Sequence, residues 1–192
     1  MAVFSEGLEI QSKQSFRLLT WDDHLRDVVV YDSGKKKRRF QGAGTEWHFH
    51  PEMELVLILQ GSGTRFVSDH ISAFEAPDPA LIGSNLPHFR AGLQHSCGYA
   101  IQFSSETEHP LWQREEMAGL QEPGHRANRG IRFDGSTRES VANSIQQMTQ
   151  LSDSSRKGVV CEGARRPGRS GKEGLRDLVA KGVLRRGGLD TD

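Results

Sequence analysis

The feature that most constrains the fold is a series of short β-type runs between residues 16 and 104. Each run has four to eight residues, mostly apolar or β-branched, and glycine, proline and asparagine mark the turns between runs. Many short strands at this spacing predict a mainly β protein, an antiparallel sandwich or barrel. The predicted strands are Phe16–Thr20, Asp27–Tyr31, Glu46–His50, Met53–Gln60, Thr64–Ser68, Ala80–Gly83 and Cys97–Ser104.

The run that contains Glu54 is predicted to be a central strand. Between Glu54 and Gln60 the residues on both alternating faces are apolar, which is typical of a strand that is covered on both sides. A carboxylate at the start of such a strand is costly to bury unless it is paired or bound to a metal. The pattern therefore indicates a ligand role for Glu54.

Two histidines precede this strand, separated by one residue. In an extended segment the side chains of His48 and His50 project from the same face, and the break at Pro51 brings Glu54 round beside them. Imidazole and carboxylate donors suit Fe, Mn, Ni, Cu or Zn, and the sequence does not choose among these metals. The alternative interpretation is that both histidines are polar barrel residues that are satisfied by hydrogen bonds.

The spacing of these residues follows a fixed pattern. Gly42 is followed by five residues, then His48 and His50 with one residue between them, then three residues, Glu54, six residues and Gly61. This pattern resembles the first motif of the cupin family, with every fixed position filled. The resemblance implies a cupin double-stranded β-helix, a small jelly-roll barrel.

A second cupin motif carries a fourth ligand histidine, and the resemblance assigns that role to His88. The amino-acid sequences of segments 47–55, 61–70 and 81–88 resemble those of the N-terminal cupin sensor domain of AraC-type transcription regulators. The similarity covers about residues 15–151. It implies a small-molecule-sensing and dimerisation domain whose effector is a small molecule such as a sugar, with a divalent metal ion as its cofactor and a homodimer as its assembly.

Three further residues are candidates for ligand binding. Arg65 follows a glycine-flanked turn and could hold an anionic or sugar-like ligand, while Tyr99 and Gln102 come from the last strand and could line the mouth of the barrel. Because a metal with an open coordination position can activate water, dioxygen or a substrate oxygen, a stand-alone metal-dependent mono-cupin enzyme, a dioxygenase or isomerase, is the alternative function.

Helices are predicted only after the strand region. Glu108–Leu120 has helical character, and a capping box of Ser136 and Glu139 opens a helix over residues 137–151. This second helix either packs against the barrel or connects it to another part of the protein. The predicted organisation is a flexible arm (1–14), a cupin β-barrel (15–106), a helical extension (107–151) and a Gly/Arg-rich, largely disordered tail (152–192).

The tail is where the sequence departs from the AraC resemblance. Family members continue into two helix-turn-helix units that contact DNA and take roughly the length of a typical domain, whereas no segment of residues 152–192 has the sequence pattern expected of a recognition helix with apolar partners. We therefore expect that DNA binding would need a C-terminal domain that is missing here because of truncation or a frameshift. The alternative is that the protein is a natural stand-alone sensor. Without a long apolar run or a secretory signal, a cytoplasmic protein without a membrane partner is expected.

Overall fold

The computed structural model describes residues 3–7, 16–31, 37–113, 117 and 126–151. Within these ranges the chain is mainly β, with two sheets, one α-helix and a short 3-10 helix at Ala127–Arg129. The strands are β1 (Phe4–Ser5), β2 (Phe16–Asp23), β3 (Asp27–Tyr31), β4 (Lys37–Gln41), β5 (His48–Phe49), β6 (Met53–Gln60), β7 (Ser62–Val67), β8 (His70–Glu75), β9 (Asp78–Ile82), β10 (His88–Ala91), β11 (Ser96–Phe103) and β12 (Ile131–Arg132); the helix is α1 (Gly135–Leu151).

The strands form a small sheet and a large sheet. The small sheet has the order β1-β5-β10-β7-β8, and the large sheet has the order β12-β9-β6-β11-β2-β3-β4. Every pairing is antiparallel except that of β1 with β5, which is parallel. Strand β6 lies between β9 and β11 and is buried along most of its length, which confirms the prediction of a central strand.

Apolar residues fill the space between the two sheets. The inner face of the large sheet contributes Leu19, Val56 and Ala100, and the small sheet contributes Val67 and Phe74 to the same cluster. These side chains alternate with residues that point to the opposite face, as strand geometry requires. The inner faces therefore share one core.

A second core lies on the outer face of the large sheet. Leu57, Ile101 and Phe103 form a cluster there with Val141 and Ile145 of α1. All five residues are at most 1% exposed. The helix thus packs against the sheet, which is one of the two arrangements expected for it.

Most of the predicted strands are present, but β1, β4, β8 and β10 were not predicted. The bounds of β3 and β6 agree with the prediction. Strand β8 is mostly exposed. Its sequence therefore does not contain the continuous apolar run from which a buried strand is predicted. Strand β4 begins with three basic residues, Lys37, Arg38 and Arg39, and pairs with β3.

The helical prediction is correct for α1 and incorrect for residues 108–113 of the earlier segment. Helix α1 begins two residues before position 137, whereas residues 107–113 form turns. Part of the predicted N-terminal arm, Phe4–Ser5, pairs with β5. The predicted disordered tail, 152–192, lies outside the described residues. Among the described helices, none is both long and apolar enough to cross a membrane.

Candidate metal centre

Three histidine side chains converge between the sheets. His48 lies in β5, His50 follows that strand, and His88 opens β10, where its backbone pairs with that of His48. The ring centroids of His48 and His88 are 4.2 Å apart, and those of His50 and His88 are 5.3 Å apart. One nitrogen of each ring lies within 4.8 Å of a nitrogen of both others. This buried group could hold a metal ion.

The backbone fixes which nitrogen of each ring is available. The Nδ1 atoms of His48, His50 and His88 lie 2.8, 3.0 and 2.8 Å from the carbonyl oxygens of Glu46, Glu52 and Leu86. Since a carbonyl oxygen can only accept, each Nδ1 carries the hydrogen and donates it. The Nε2 atoms are left with lone pairs. This is the arrangement seen in metal-ligating histidines, whose second nitrogen is held by a hydrogen bond.

Two of these lone pairs are buried without a partner. Within the described residues, Nε2 of His50 and Nε2 of His88 have no hydrogen-bond donor, although both side chains are at most 2% exposed. Buried polar atoms are nearly always satisfied in native proteins, and exceptions call for an explanation such as an ion. A divalent metal would satisfy both atoms at once, so the donor set fits one.

Glu54 completes the cluster. One carboxylate oxygen is 3.3 Å from Nε2 of His50, and the other is 3.9 Å from Nε2 of His88. Burial alone would raise the pKa of Glu54, but the contact with His50 and the charge of that ring hold the pKa well below its usual range. The carboxylate is therefore ionised at neutral pH, as a metal ligand must be.

The pKa values of two histidines move in opposite directions. Burial lowers the pKa of His50, yet the close contact with Glu54 and the charge of that carboxylate outweigh it, and the net pKa is raised. Burial and the neighbouring His48 place the pKa of His88 well below its usual range. His88 is therefore neutral, while His50 and Glu54 require a cation between them, either a proton or a metal ion.

An amide group positions Glu54. Gln102 donates from Nε2 to Glu54 at 3.0 Å and to Glu6 at 3.2 Å, and its carbonyl oxygen accepts from Arg17 at 3.2 Å. The sequence predicted Gln102 as a ligand contact at the mouth of the barrel. It is instead fully buried and acts as a support behind the carboxylate. Such supporting partners tune metal affinity by about 10-fold to 100-fold.

The segment that carries His50 is fixed by hydrogen bonds to two loops. The carbonyl oxygen of His50 accepts from the backbone of Asn85 at 2.8 Å, and that of Pro51 accepts from Ser84 at 2.6 Å and from Ser105 at 2.8 Å. These bonds hold a short non-strand segment that would otherwise be free to move. They explain how a residue outside β5 keeps its ring in register with the other two.

The two motif glycines have physical roles. Gly61 joins β6 to β7 with φ of 108°, a conformation that side chains rarely adopt. A Cβ atom on Gly42 would collide with the carbonyl oxygen of Leu25. Both positions therefore require glycine for the path of the backbone.

A small cavity adjoins the cluster. Its volume is about 40 Å³, and its polar lining consists of Glu6, His48, Glu54, His88 and Arg90. Pockets for drug-sized ligands measure roughly 300–1,000 Å³. A sugar effector, as the resemblance suggests, would need a larger cavity than this one.

The structure places the other two predicted ligand residues away from this cavity. Arg65 donates from one nitrogen to both oxygens of Asp78, at 2.7 and 2.6 Å, and from the other to Ser72. It is 3% exposed, so its charge is already neutralised by a buried partner. Tyr99 belongs to the outer cluster with Val141. It faces the helix because it is three residues from Gln102 in the same strand.

Two residues at the site were not predicted from the sequence. Arg90 lies in β10 two residues after His88, so the period of two places both on one face and could have indicated it. Glu6 reaches the site through the pairing of β1 with β5. No local pattern reveals such a long-range pairing.

Fold and site together define a two-sheet β protein with a buried three-histidine cluster and one adjacent carboxylate. Comparison of the chain with known protein-family models and with curated proteins found no match.

Proposed function

We propose that this protein is the small-molecule-sensing and dimerisation domain of an AraC-like transcription regulator. In this proposal a divalent metal is held by His48, His50, His88 and Glu54, and the ligand binds beside it. The observation that carries the proposal is the convergence of three buried imidazoles whose Nδ1 atoms are already bonded to the backbone.

The cupin double-stranded β-helix is the fold that we propose for the two sheets. The support is that the motif residues occupy consistent positions: the three histidines and Glu54 lie between the sheets, and Gly42 and Gly61 stand where a side chain is strained or excluded. A chance match of spacing would not be expected to place every motif residue in such a role.

A metal-dependent mono-cupin enzyme, a dioxygenase or isomerase, is the second candidate. The observation in its favour is that the cavity is lined by His48, His88 and Glu54 themselves. A molecule in the cavity would contact the metal directly, and four protein donors leave a coordination position open in a five- or six-coordinate metal.

One experiment separates the two candidates. Protein loaded in turn with Mn, Fe, Ni, Cu and Zn is screened by thermal unfolding against small acids, alcohols and sugars, and the same mixtures are analysed for product. We expect one metal per chain and ligands that raise the melting temperature without being consumed, because a ligand that binds only the folded state stabilises it. Turnover that requires metal would favour the enzyme. Protein that binds no metal would contradict both candidates.

Dimerisation is proposed through the outer face of the small sheet. Phe66 and Phe89 stack there with centroids 4.3 Å apart, Trp47 lies 4.7 Å from Phe89, and Ile71 is 63% exposed beside Phe66. We call these four residues the aromatic face. An apolar surface of this kind is typical of a protein interface, and a second copy of the chain is the partner that the proposed family suggests.

Ile71→Asp is expected to convert the dimer to a monomer, because a charge would be buried without a partner in the interface. The measurement is sedimentation equilibrium at several protein concentrations. Gln41→Asp, on an exposed position of β4, is the matched control and should leave the dimer intact. A wild-type monomer, or a dimer that survives Ile71→Asp, would contradict this interface.

A further inference from the structure

Arg90 is a buried arginine whose guanidinium has free donors. The residue is 4% exposed, and its backbone N–H donates to Gly44 at 2.9 Å, which anchors this part of β10. Its Nε and Nη2 atoms have no hydrogen-bond partner among the residues that the structure describes. Buried charges are normally paired, because an unpaired one loses its hydration without compensation.

The acidic groups of the core are already engaged. Asp78 receives both of its short contacts from Arg65. Glu54 receives a hydrogen bond from Gln102 and faces His50. Glu6 accepts from Gln102 and, more weakly, from the backbone of Ala43. Asp78 and Glu54 favour the charged form of Arg90 through their own charges, but neither accepts a hydrogen bond from its Nε or Nη2, so these two donors lack a partner among the described residues.

The position and geometry of Arg90 indicate what that partner is. Arg90 lines the same cavity as His48, His88 and Glu54. Nε and Nη2 form one edge of the guanidinium, and this edge matches the two oxygens of a carboxylate in a bidentate pair. The edge is therefore ready to bind an anion in the cavity.

We propose that Arg90 binds the carboxylate group of a small anionic ligand whose other end reaches the metal at His48, His50, His88 and Glu54. This inference rests on the proposed function for the location of the ligand and adds its chemical class. A divalent metal would draw on the carboxylates of Glu6 and Glu54, and Asp78 is hydrogen-bonded to Arg65, so Nε and Nη2 of Arg90 would remain available to the ligand.

The volume of the cavity limits the ligand to a few heavy atoms. A water molecule needs roughly 10–15 Å³ of such space, so about 40 Å³ holds on the order of three waters. A short hydroxy acid fits this limit. Glycolate carries a carboxylate for Arg90 and a hydroxyl for the metal, and glycolamide is its neutral counterpart of nearly equal size.

The test is calorimetric titration of glycolate and glycolamide into metal-loaded and chelator-treated protein. Wild type is expected to prefer glycolate by about 10-fold or more, because a bidentate charged pair is stronger than a neutral hydrogen bond. Arg90→Gln should lose that preference and keep its metal stoichiometry. Arg129→Gln, at an exposed arginine, is the matched control and should keep the preference.

A second measurement guards against a variant that fails to fold. Arg90→Met is expected to unfold at a higher temperature than wild type in the absence of ligand, and glycolate should raise the melting temperature of wild type alone. Equal binding of glycolate and glycolamide to wild type, or an undiminished preference in Arg90→Gln, would overturn the inference while metal binding still stands. If no metal binds, the proposed function fails, and the metal-free titrations decide the inference by the same two criteria.

Discussion

His50→Ala is expected to lower the affinity of the protein for a divalent metal by a factor on the order of 100 or more. The substitution removes one of three converging nitrogens, and it also removes the partner that Glu54 contacts at 3.3 Å. Changes to supporting residues around metal ligands already cost about 10-fold to 100-fold, so loss of a direct donor should cost at least as much. Equilibrium dialysis with metal analysis measures the effect.

The control for this experiment is another histidine. His95 has a side chain that is 78% exposed and bonds to Asp23, far from any contact with the three converging rings. His95→Ala should bind metal as wild type does. Equal metal affinity in wild type and His50→Ala would mean that the histidine cluster is satisfied in some other way and that the proposed centre is wrong.

Asp78→Ala is expected to reduce the free energy of unfolding by about 3–5 kcal/mol, because it leaves the buried guanidinium of Arg65 without its partner. Both side chains are less than 10% exposed, and one Arg65 nitrogen lies within 2.7 Å of each carboxylate oxygen. Urea unfolding followed by circular dichroism measures the change. The paired replacement Arg65→Met with Asp78→Leu should recover most of the loss, since it removes both charges together.

An exposed ion pair provides the comparison. Arg132 and Asp134 are 2.9 Å apart, but their side chains are 41% and 49% exposed. Arg132→Ala should therefore cost less than about 1 kcal/mol. If Asp78→Ala were no more costly than this control, the pair with Asp78 would not hold Arg65 in place, and Arg65 would again be a candidate for ligand binding.

The strands and the histidine cluster could be predicted because they depend on local spacing. A separation of two residues places His48 and His50 on one face, and the apolar run after Glu54 indicates a covered strand. The contact made by Arg65 could not be predicted, because it depends on how strands distant in the sequence are arranged. Arg65 and Asp78 meet only because β7 and β9 lie in opposite sheets, and no pattern within either strand predicts that contact.

The remaining difference between prediction and structure concerns the face of β11 on which each side chain lies. Tyr99 and Gln102 are separated by three residues in β11, so a period of two places them on opposite faces. Both were predicted to line the site, but only Gln102 touches its carboxylate, and Tyr99 packs in the outer core. Glu6 could not be predicted, because a two-residue parallel pairing leaves no signature in the sequence.

Strand β11 connects the two faces of the large sheet, because its alternate side chains contact the metal-site residues on one face and the outer core on the other. Gln102 touches Glu54 on the inner face, while the adjacent residues Ile101 and Phe103 pack in the outer cluster that includes helix α1. Because close-packed interiors transmit strain, a ligand that displaced Gln102 would also strain the packing beneath the helix. In the proposed sensor, strand β11 would therefore link the cavity to helix α1 across the sheet without a moving loop.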